Sequence, residues 1–317
     1  MELIAGLVVQ GVQMALVLAL APGLVGLVRK LKARLTRRRG APVLQPYRDL
    51  ARLMRKEAVL AENTSWLFAA APFAIFVATW IAAALVPTFA AGLQFSWTAD
   101  LIAIVALLGL ARFALALAAM DTGTGFGGIG ASREMMIATL AEPAMLLTVF
   151  TVALVAGSTD LSAIAGHMAA GVGLRVSLGM ALVALVIVAI AENGRIPVDN
   201  PATHLELTMV HEAMVLEYSG RHLALIELAA QMKLLLYMSL IACVFLPWGI
   251  ATAGAGPAAW LAGAALWLAK LAAGALLLAV FETAIAKMRV FRLPDFLNAA
   301  LMLGLLGTLL LFVSRSL

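Results

Sequence analysis

Eight apolar runs constrain this chain more than any other feature, each about as long as a bilayer is thick. They lie at residues 3–28, 65–87, 99–120, 135–157, 174–191, 223–248, 258–282 and 295–313. The first, Leu3 to Val28, holds no charged side chain. A hydrocarbon core about 30 Å thick is spanned by roughly 20 residues in helical conformation. No water reaches that layer, so each backbone N–H and C=O must find its partner within the segment, which a helix allows and an irregular chain does not. Breakers separate the runs: Pro87, the glycines between 123 and 130, Gly157, Gly171 and Gly173, Gly254 to Pro257, and Pro294. The expected fold is an all-α polytopic membrane protein with eight transmembrane helices, forming one integral membrane domain over residues 1–317.

Composition agrees. Hydrophobic residues make up 64% of the chain and charged ones 12%, against about 25% charged in a soluble domain, and the mean hydropathy is +1.03. The lone cysteine, Cys243, lies inside an apolar run. That excludes an internal disulfide framework and a cysteine-ligated cluster or zinc site. The N-terminus is not expected to be a cleavable signal, because its first positive charges, Arg29 and Lys30, follow the apolar run instead of preceding it.

Lys and Arg are distributed by loop. The first connection holds eleven of them; Arg133 lies in the third, Arg195 and Arg221 in the fifth, and Lys287, Arg289 and Arg292 in the seventh. The even connections and the C-terminal end contribute only Arg175 and Arg315. By the positive-inside rule the odd connections are expected in the cytoplasm and both termini outside. The basic block at 29–56 is then a topology determinant, and no nucleic-acid partner is expected. The halves of the chain share no pair of similar interrupted segments such as an inverted-repeat transporter would carry. This argues against a stand-alone ion transporter or channel, the rival from another class.

Three basic residues remain inside or at the edge of the runs: Arg112, Lys233 and Lys270. Lys233 lies about 15 Å into the sixth run at 1.5 Å per residue, near mid-membrane. Glu142 sits one or two turns into the fourth run, and Glu227 and Glu282 at the expected cytoplasmic ends of the sixth and seventh. A charge at a helix centre costs about 2.5–3.5 kcal/mol on the insertion scale. Lys233 and Lys270 are therefore expected to face the bundle interior, with acidic or hydrated partners. Two readings stay open for these groups: a line of titratable side chains passing protons inward, or structural ion pairs between helices. For Glu227 and Arg112, snorkelling from a helix end is a further alternative.

The fifth connection, Glu192 to Gly220, carries five carboxylates: Glu192, Asp199, Glu206, Glu212 and Glu217. Asp199-Asn200-Pro201 has the form of a helix start, with a capping oxygen followed by a proline in the first turn. An amphipathic helix is expected from about Ala202 to Tyr218, in or near the membrane interface, with Gly220 as its stop. Pro197 favours extended chain at Ile196, and Arg195 and Asp199 are close enough to pair. Two apparent motifs fail their context. Gly123-Thr-Gly-Phe-Gly-Gly joins two apolar runs with no βαβ unit and reads as a flexible loop, and His211-Glu212 lacks the second histidine of a zinc site, since position 215 is Val. Trp66, Trp97, Trp248 and Trp260 near run ends read as interface anchors.

Three stretches, with shorter matching segments beside them, carry a resemblance. Gln45-Pro46-Tyr47-Arg48-Asp49-Leu50, followed by Lys56-Glu57, resembles the first cytoplasmic loop of the complex I membrane subunit that borders the quinone chamber. Glu192-x-x-Arg195-x-Pro197-x-Asp199-x-Pro201, continuing through Glu206-Leu207 to Glu217-Tyr218-Ser219-Gly220, resembles that subunit's acidic loop. Glu282 to Leu297, His204 to Glu212, Arg133-Glu134 and Ala141-Glu142-Pro143 are similar to the version in energy-converting nickel–iron hydrogenases of the formate hydrogenlyase and hydrogenase 4 type.

The resemblance implies a multi-pass subunit of a bacterial or archaeal cytoplasmic membrane, non-catalytic alone. It would support a soluble arm of nickel–iron large subunit and iron–sulfur small subunits, beside antiporter-like membrane subunits. It places Glu142, Glu206, Glu212, Glu217, Lys233 and Glu282 on an ion path, and Arg48, Asp49, Glu192, Arg195 and Asp199 against the arm. Nickel–iron and iron–sulfur centres are expected on partners and none in this chain. Quinone is expected only if the complex I alternative holds.

Overall fold

The computed structural model describes residues 2–92, 98–171, 175–199, 209–252, 254–286, 288 and 292–316. Of the described residues, 78% are helical. Among the described residues, seven helices are long and apolar enough to cross a membrane: α1 (Glu2–Leu35), α3 (Trp66–Leu85), α4 (Leu101–Asp121), α5 (Gly125–Ala156), α9 (Gly220–Phe245), α10 (Gly256–Ala284) and α11 (Leu293–Ser316). A shorter apolar helix, α7 (Val176–Glu192), occupies the fifth expected run. Three further short helices are α2 (Gln45–Met54), α6 (Leu161–Ala169) and α8 (His211–Val215).

Side chains written into the sequence set several helix starts. The Ser65 hydroxyl accepts from Leu67 N at the head of α3, the Asp100 carboxylate from Ile102 N at α4, Thr124 from Gly127 N at α5, and Asp160 from Ser162 N at α6. Each supplies a partner to an otherwise orphaned first-turn amide. The cap at Thr124 corrects the reading of the glycine segment. Gly125 to Gly130 form the first turns of α5 and are not a flexible loop. α2 was not foreseen; Pro46 in its first turn is the signal that marks it.

At one end of the bundle, opposite the Lys/Arg-rich first connection, backbone pairing ties the turns together. β1 (Ala90–Ala91) and β2 (Ala251–Thr252) form a two-stranded parallel ladder. Leu161 N donates to Ala99 O and Leu101 N to Thr159 O, lacing the starts of α4 and α6. Gln10 and Gln13, buried in α1, donate to Ala84 O and Val86 O and so satisfy carbonyls at the end of α3. In the bundle, α5 packs on α11, α4 and α7, α3 on α4 and α9, and α1 on α10 and α9. Leu235, Leu236, Leu240, Val188, Ile104 and Met145 are among the side chains that fill the main core.

Other expectations change. The start of the fifth-connection helix, with Asn200, Pro201 and Glu206, lies outside the described residues. Within those described, only His211–Val215 is helical. Gly220 does not stop that helix but starts α9, at φ 52°. A Cβ there would strike the Glu57 carbonyl oxygen and lie 2.8 Å from Lys56 O, so the close approach requires glycine. Arg195 to Val198 form a turn closed by Val198 N on Arg195 O, through a cis Ile196–Pro197 bond.

Candidate functional site: a buried arginine with three carboxylates

Arg112 on α4 is 6% exposed and stands at the centre of the largest ion-pair cluster among the described residues. Its Nη1 donates to Glu142 Oε1 at 3.0 Å, its Nε lies 3.4 Å from Glu134 Oε1, and its Nη2 pairs with Glu192 Oε1. Lys233 Nζ on α9 lies 3.8 Å from the other oxygen of Glu192. Four helices meet here: α4, α5, α7 and α9. A guanidinium suits the junction because its donors project in a fixed planar fork that reaches several acceptors at once. Sequence reading had left Arg112 between snorkelling and function; burial excludes snorkelling. Glu192, expected against a soluble partner, is 7% exposed and belongs to this hub instead of a docking face.

A second cluster lies at the basic end. Glu282, 5% exposed at the end of α10, pairs with Lys32 of α1 at 3.0 Å and with Arg195 at 3.4 Å. Burial pushes the Arg195 guanidinium below its ordinary pKa, against the opposing pull of Glu282. Arg195 therefore pairs with Glu282 and not with the carboxylate of Asp199, which accepts from Val210 N at 3.3 Å. Lys270 also finds an unexpected partner: its ammonium donates to Leu246 O and Trp248 O, carbonyls just past the end of α9.

The remaining expected site residues that the structure describes sit at the basic end, and Glu206 lies outside the described residues. Arg48 is exposed on α2, and Asp49 is held by Arg52 at 2.9 Å. Glu212 lies in α8, and Glu217 is exposed just after it. Tyr218 packs its ring on Phe68 at 4.0 Å and donates to Phe68 O, with burial raising its pKa.

A row of separate cavities lies along the two clusters. One of about 580 Å³ opens at the basic end between Arg29, Lys32, Arg195, Glu212, Glu227 and Glu282. It shares Asn193, Asp199 and His211 with an inner cavity of about 80 Å³ that reaches Arg112, Glu134, Glu192 and Lys233. A small space beside Arg112, Glu142, Glu192 and Tyr237 follows. Beyond it a groove of about 620 Å³ runs between α4 and α5, where Glu142 has 44% of its side chain exposed. Three buried polar atoms along this route lack a protein hydrogen-bond partner: Gln231 Oε1, Asn193 Oδ1 and Arg112 Nε. Buried groups of this kind are satisfied by ordered water in a cavity large enough to hold it. Glu134, Asn193 and Gln231 were not singled out as site residues from sequence. For Glu134, its place in the quoted Arg133-Glu134 pair was the available signal.

Among the described residues no three His, Cys, Asp or Glu side chains converge to hold a metal ion, and Cys243 is buried alone in α9. The donor set does not fit a nickel–iron centre or an iron–sulfur cluster.

Comparison with known proteins gives a consistent picture. The NADH dehydrogenase family model matches residues 8–313. Formate hydrogenlyase subunit 4 of Escherichia coli (strain K12) is 34% identical over 281 residues, covering 88% of this chain and 90% of the relative. Hydrogenase-4 component C of the same organism is 34% identical over 237 residues, covering 75% and 74%. In the solved structure of an archaeal membrane-bound sulfane sulfur reductase complex, one chain superposes with a TM-score of 0.80 at 20% identity, covering 97% of this chain and 98% of that one. That likeness establishes the fold. With seven apolar helices and relatives in membrane complexes, the protein is a multi-pass membrane protein.

Proposed function

The chain belongs to the NADH dehydrogenase family, and from that premise we propose that it anchors a hydrogen-evolving complex of the formate hydrogenlyase or hydrogenase-4 type and couples its redox reaction to proton movement. The two relatives that carry those names supply the branch. The observation that carries the coupling is the row of cavities from the basic end through the Arg112 hub to the α4–α5 groove.

In this reading the basic end is cytoplasmic, as its Lys and Arg content favours. The chain crosses eight times, α7 included, and both termini lie outside. The amphipathic stretch around residues 202–218 lies along the interface, with α8 as its described helical part. Arg48 and Asp49 on α2, with Arg195 and Asp199, face the soluble arm. That arm holds the nickel–iron large subunit and the iron–sulfur small subunit, so electrons stay on partners and this chain handles only protons. Antiporter-like membrane subunits adjoin the α4–α5 groove.

Protons enter among Glu206, Glu212, Glu217 and Glu282 and pass Asp199 and His211. They reach Glu134, Glu192 and Lys233, and leave at Glu142. A change of charge on a nearby cluster shifts the proton affinity of the carboxylates closest to it, because a neighbouring charge favours one protonation state over the other.

The intact complex tests this. It is expected to contain nickel and evolve hydrogen, and a nickel-free complex that reduces quinone would overturn the branch. Glu212→Gln and Glu142→Gln are expected to assemble normally yet lower hydrogen evolution or its coupled proton uptake several-fold. Full coupled activity in both would remove the path.

A further inference from the structure

α2 is strapped to the flank of the bundle at both of its ends. Past the end of α1 the chain turns back, with Lys30 Nζ donating to Arg39 O at 2.8 Å. It then descends along α1. A Cβ on Gly26 would strike the Val43 carbonyl oxygen, one on Gly23 would lie 2.8 Å from the Tyr47 hydroxyl, and that hydroxyl donates to Ala19 O. All three α1 positions precede Val28, the end of its apolar run, so α2 starts at the edge of the hydrocarbon. Beyond α2 the chain is fixed to the head of α9, where Ser219 Oγ accepts from Val59 N at 2.8 Å and donates to Val59 O at 3.2 Å. That head stands outside the edge, since Glu227, two turns deeper in α9, lines the same cavity as Arg29 and Lys32. α2 has ten residues and is about 15 Å long. The headgroup layer of one leaflet is about 5–8 Å thick, so α2 passes through it.

The two faces of α2 differ. Pro46 and Leu50 are buried, on the side that packs against α1 and α9. Leu44, Arg48, Arg52 and Arg55 are exposed, at the spacing that keeps residues on one face of a helix. Arg52 has 67% of its side chain exposed, and Leu44 is 59% exposed. The acid within α2, Asp49, lies 2.9 Å from Arg52 and 3.0 Å from Gln45 Nε2. Three arginines against one carboxylate leave the helix positive. A guanidinium beside hydrocarbon is costly without an anion, and its planar fork fits the oxygens of a phosphate. An exposed leucine beside it fits acyl chains.

We propose that α2 binds an anionic phospholipid. Arg52 and Arg55 hold its phosphate in the leaflet at the basic end, and its acyl chains lie along Leu44 and the flank of α1. In the proposed assembly Arg48 meets the soluble arm; Arg52 and Arg55, one and two turns further on, are left to the lipid. The site requires that the chain span a membrane. It stands or falls apart from the hydrogenase branch and the proton path.

Native mass spectrometry of the intact complex, stripped of lipid and then incubated with phosphatidylglycerol or phosphatidylcholine, tests this. The wild type is expected to retain phosphatidylglycerol several-fold better than phosphatidylcholine. Arg52→Gln/Arg55→Gln is expected to lose one phosphatidylglycerol per complex and to keep its phosphatidylcholine. Equal retention of both lipids by the wild type, or equal phosphatidylglycerol in wild type and variant, overturns the proposal. The conservative pair Arg52→Lys/Arg55→Lys is expected to recover part of the binding, because the charge returns without the fork. No recovery would mean that the loss was one of local structure and would overturn the assignment. Excess inorganic phosphate is expected to leave the lipid in place; displacement would make this a phosphate site and not a lipid site. Loss of the soluble arm from the Gln pair, with its phosphatidylglycerol unchanged, would give the face to the arm.

Discussion

Arg112 holds its junction together because one planar group meets two acids of α5 while a third acid, Glu192 of α7, bridges it to Lys233. Replacing it with Gln removes the principal counter-charge of Glu192 and Glu134 in a buried setting, where breaking a pair costs about 3–5 kcal/mol. Arg112→Lys keeps the charge but cannot fork to three carboxylates. The expected order of melting temperature is therefore wild type, Arg112→Lys, Arg112→Gln, measured on the detergent-solubilised complex. Equal stability of the two variants would mean that charge alone matters and geometry does not. Gly220 raises a different question, one of space and backbone. Its φ of 52° and the contact with the Glu57 carbonyl leave no room for a methyl group. Gly220→Ala is expected to lower stability by about 1–3 kcal/mol, within the range of strained backbone substitutions, read as a drop in melting temperature.

At the scale of elements, the approach of α8 to α5 decides whether the entrance cavity keeps its shape. A Cβ on Gly130 would lie 2.9 Å from Met214 Cγ and 3.0 Å from both Ala213 Cβ and Val210 O. Gly130→Leu is therefore expected to push α8 off α5 and to weaken attachment of the soluble arm. Co-purification of the arm with the membrane subunit measures this, and unchanged recovery would show that α8 does not support docking. The apolar runs were legible from sequence because each helix in lipid must pair its own backbone, so length and hydropathy suffice. Their ends were less so. α5 starts ten residues earlier than the apolar run, at Gly125, because Thr124 caps a polar, glycine-rich turn that hydropathy alone discards. The hub was half legible: Glu142 and Lys233 stood out as charges in apolar runs. Glu192 sits at a run end, where surface contact explains it equally well, and Arg112 lies midway along α4; only the packing of α4 against α5 and of α5 against α7 brings them together. Lys270 misled because carbonyls past the end of a neighbouring helix satisfy an ammonium as an acid would, and no sequence pattern marks them.

For the molecule as a whole, the argument turns on α7. At 17 residues it rises about 25 Å at 1.5 Å per residue, a little less than a hydrocarbon core. A short span is accommodated by local thinning of the bilayer or by snorkelling of flanking residues, at a cost of fractions of a kcal/mol per Å. Charge placement favours the crossing, since Arg175 precedes α7 and Glu192 at its other end is neutralised by Arg112 and Lys233. Introduced cysteines report on this directly, because the native Cys243 is buried and shielded from thiol reagents. Arg38→Cys, Ala170→Cys and Glu217→Cys each replace an exposed residue. In sealed vesicles, positions 38 and 217 are expected to react with an impermeant reagent from one face and position 170 from the other. Reaction of 170 and 217 from the same face would take α7 out of the membrane. Glu192 would then have no route to mid-depth, and the pairing of Arg112 with acids from α5 and α7 would have to be abandoned together with the proton path built on it.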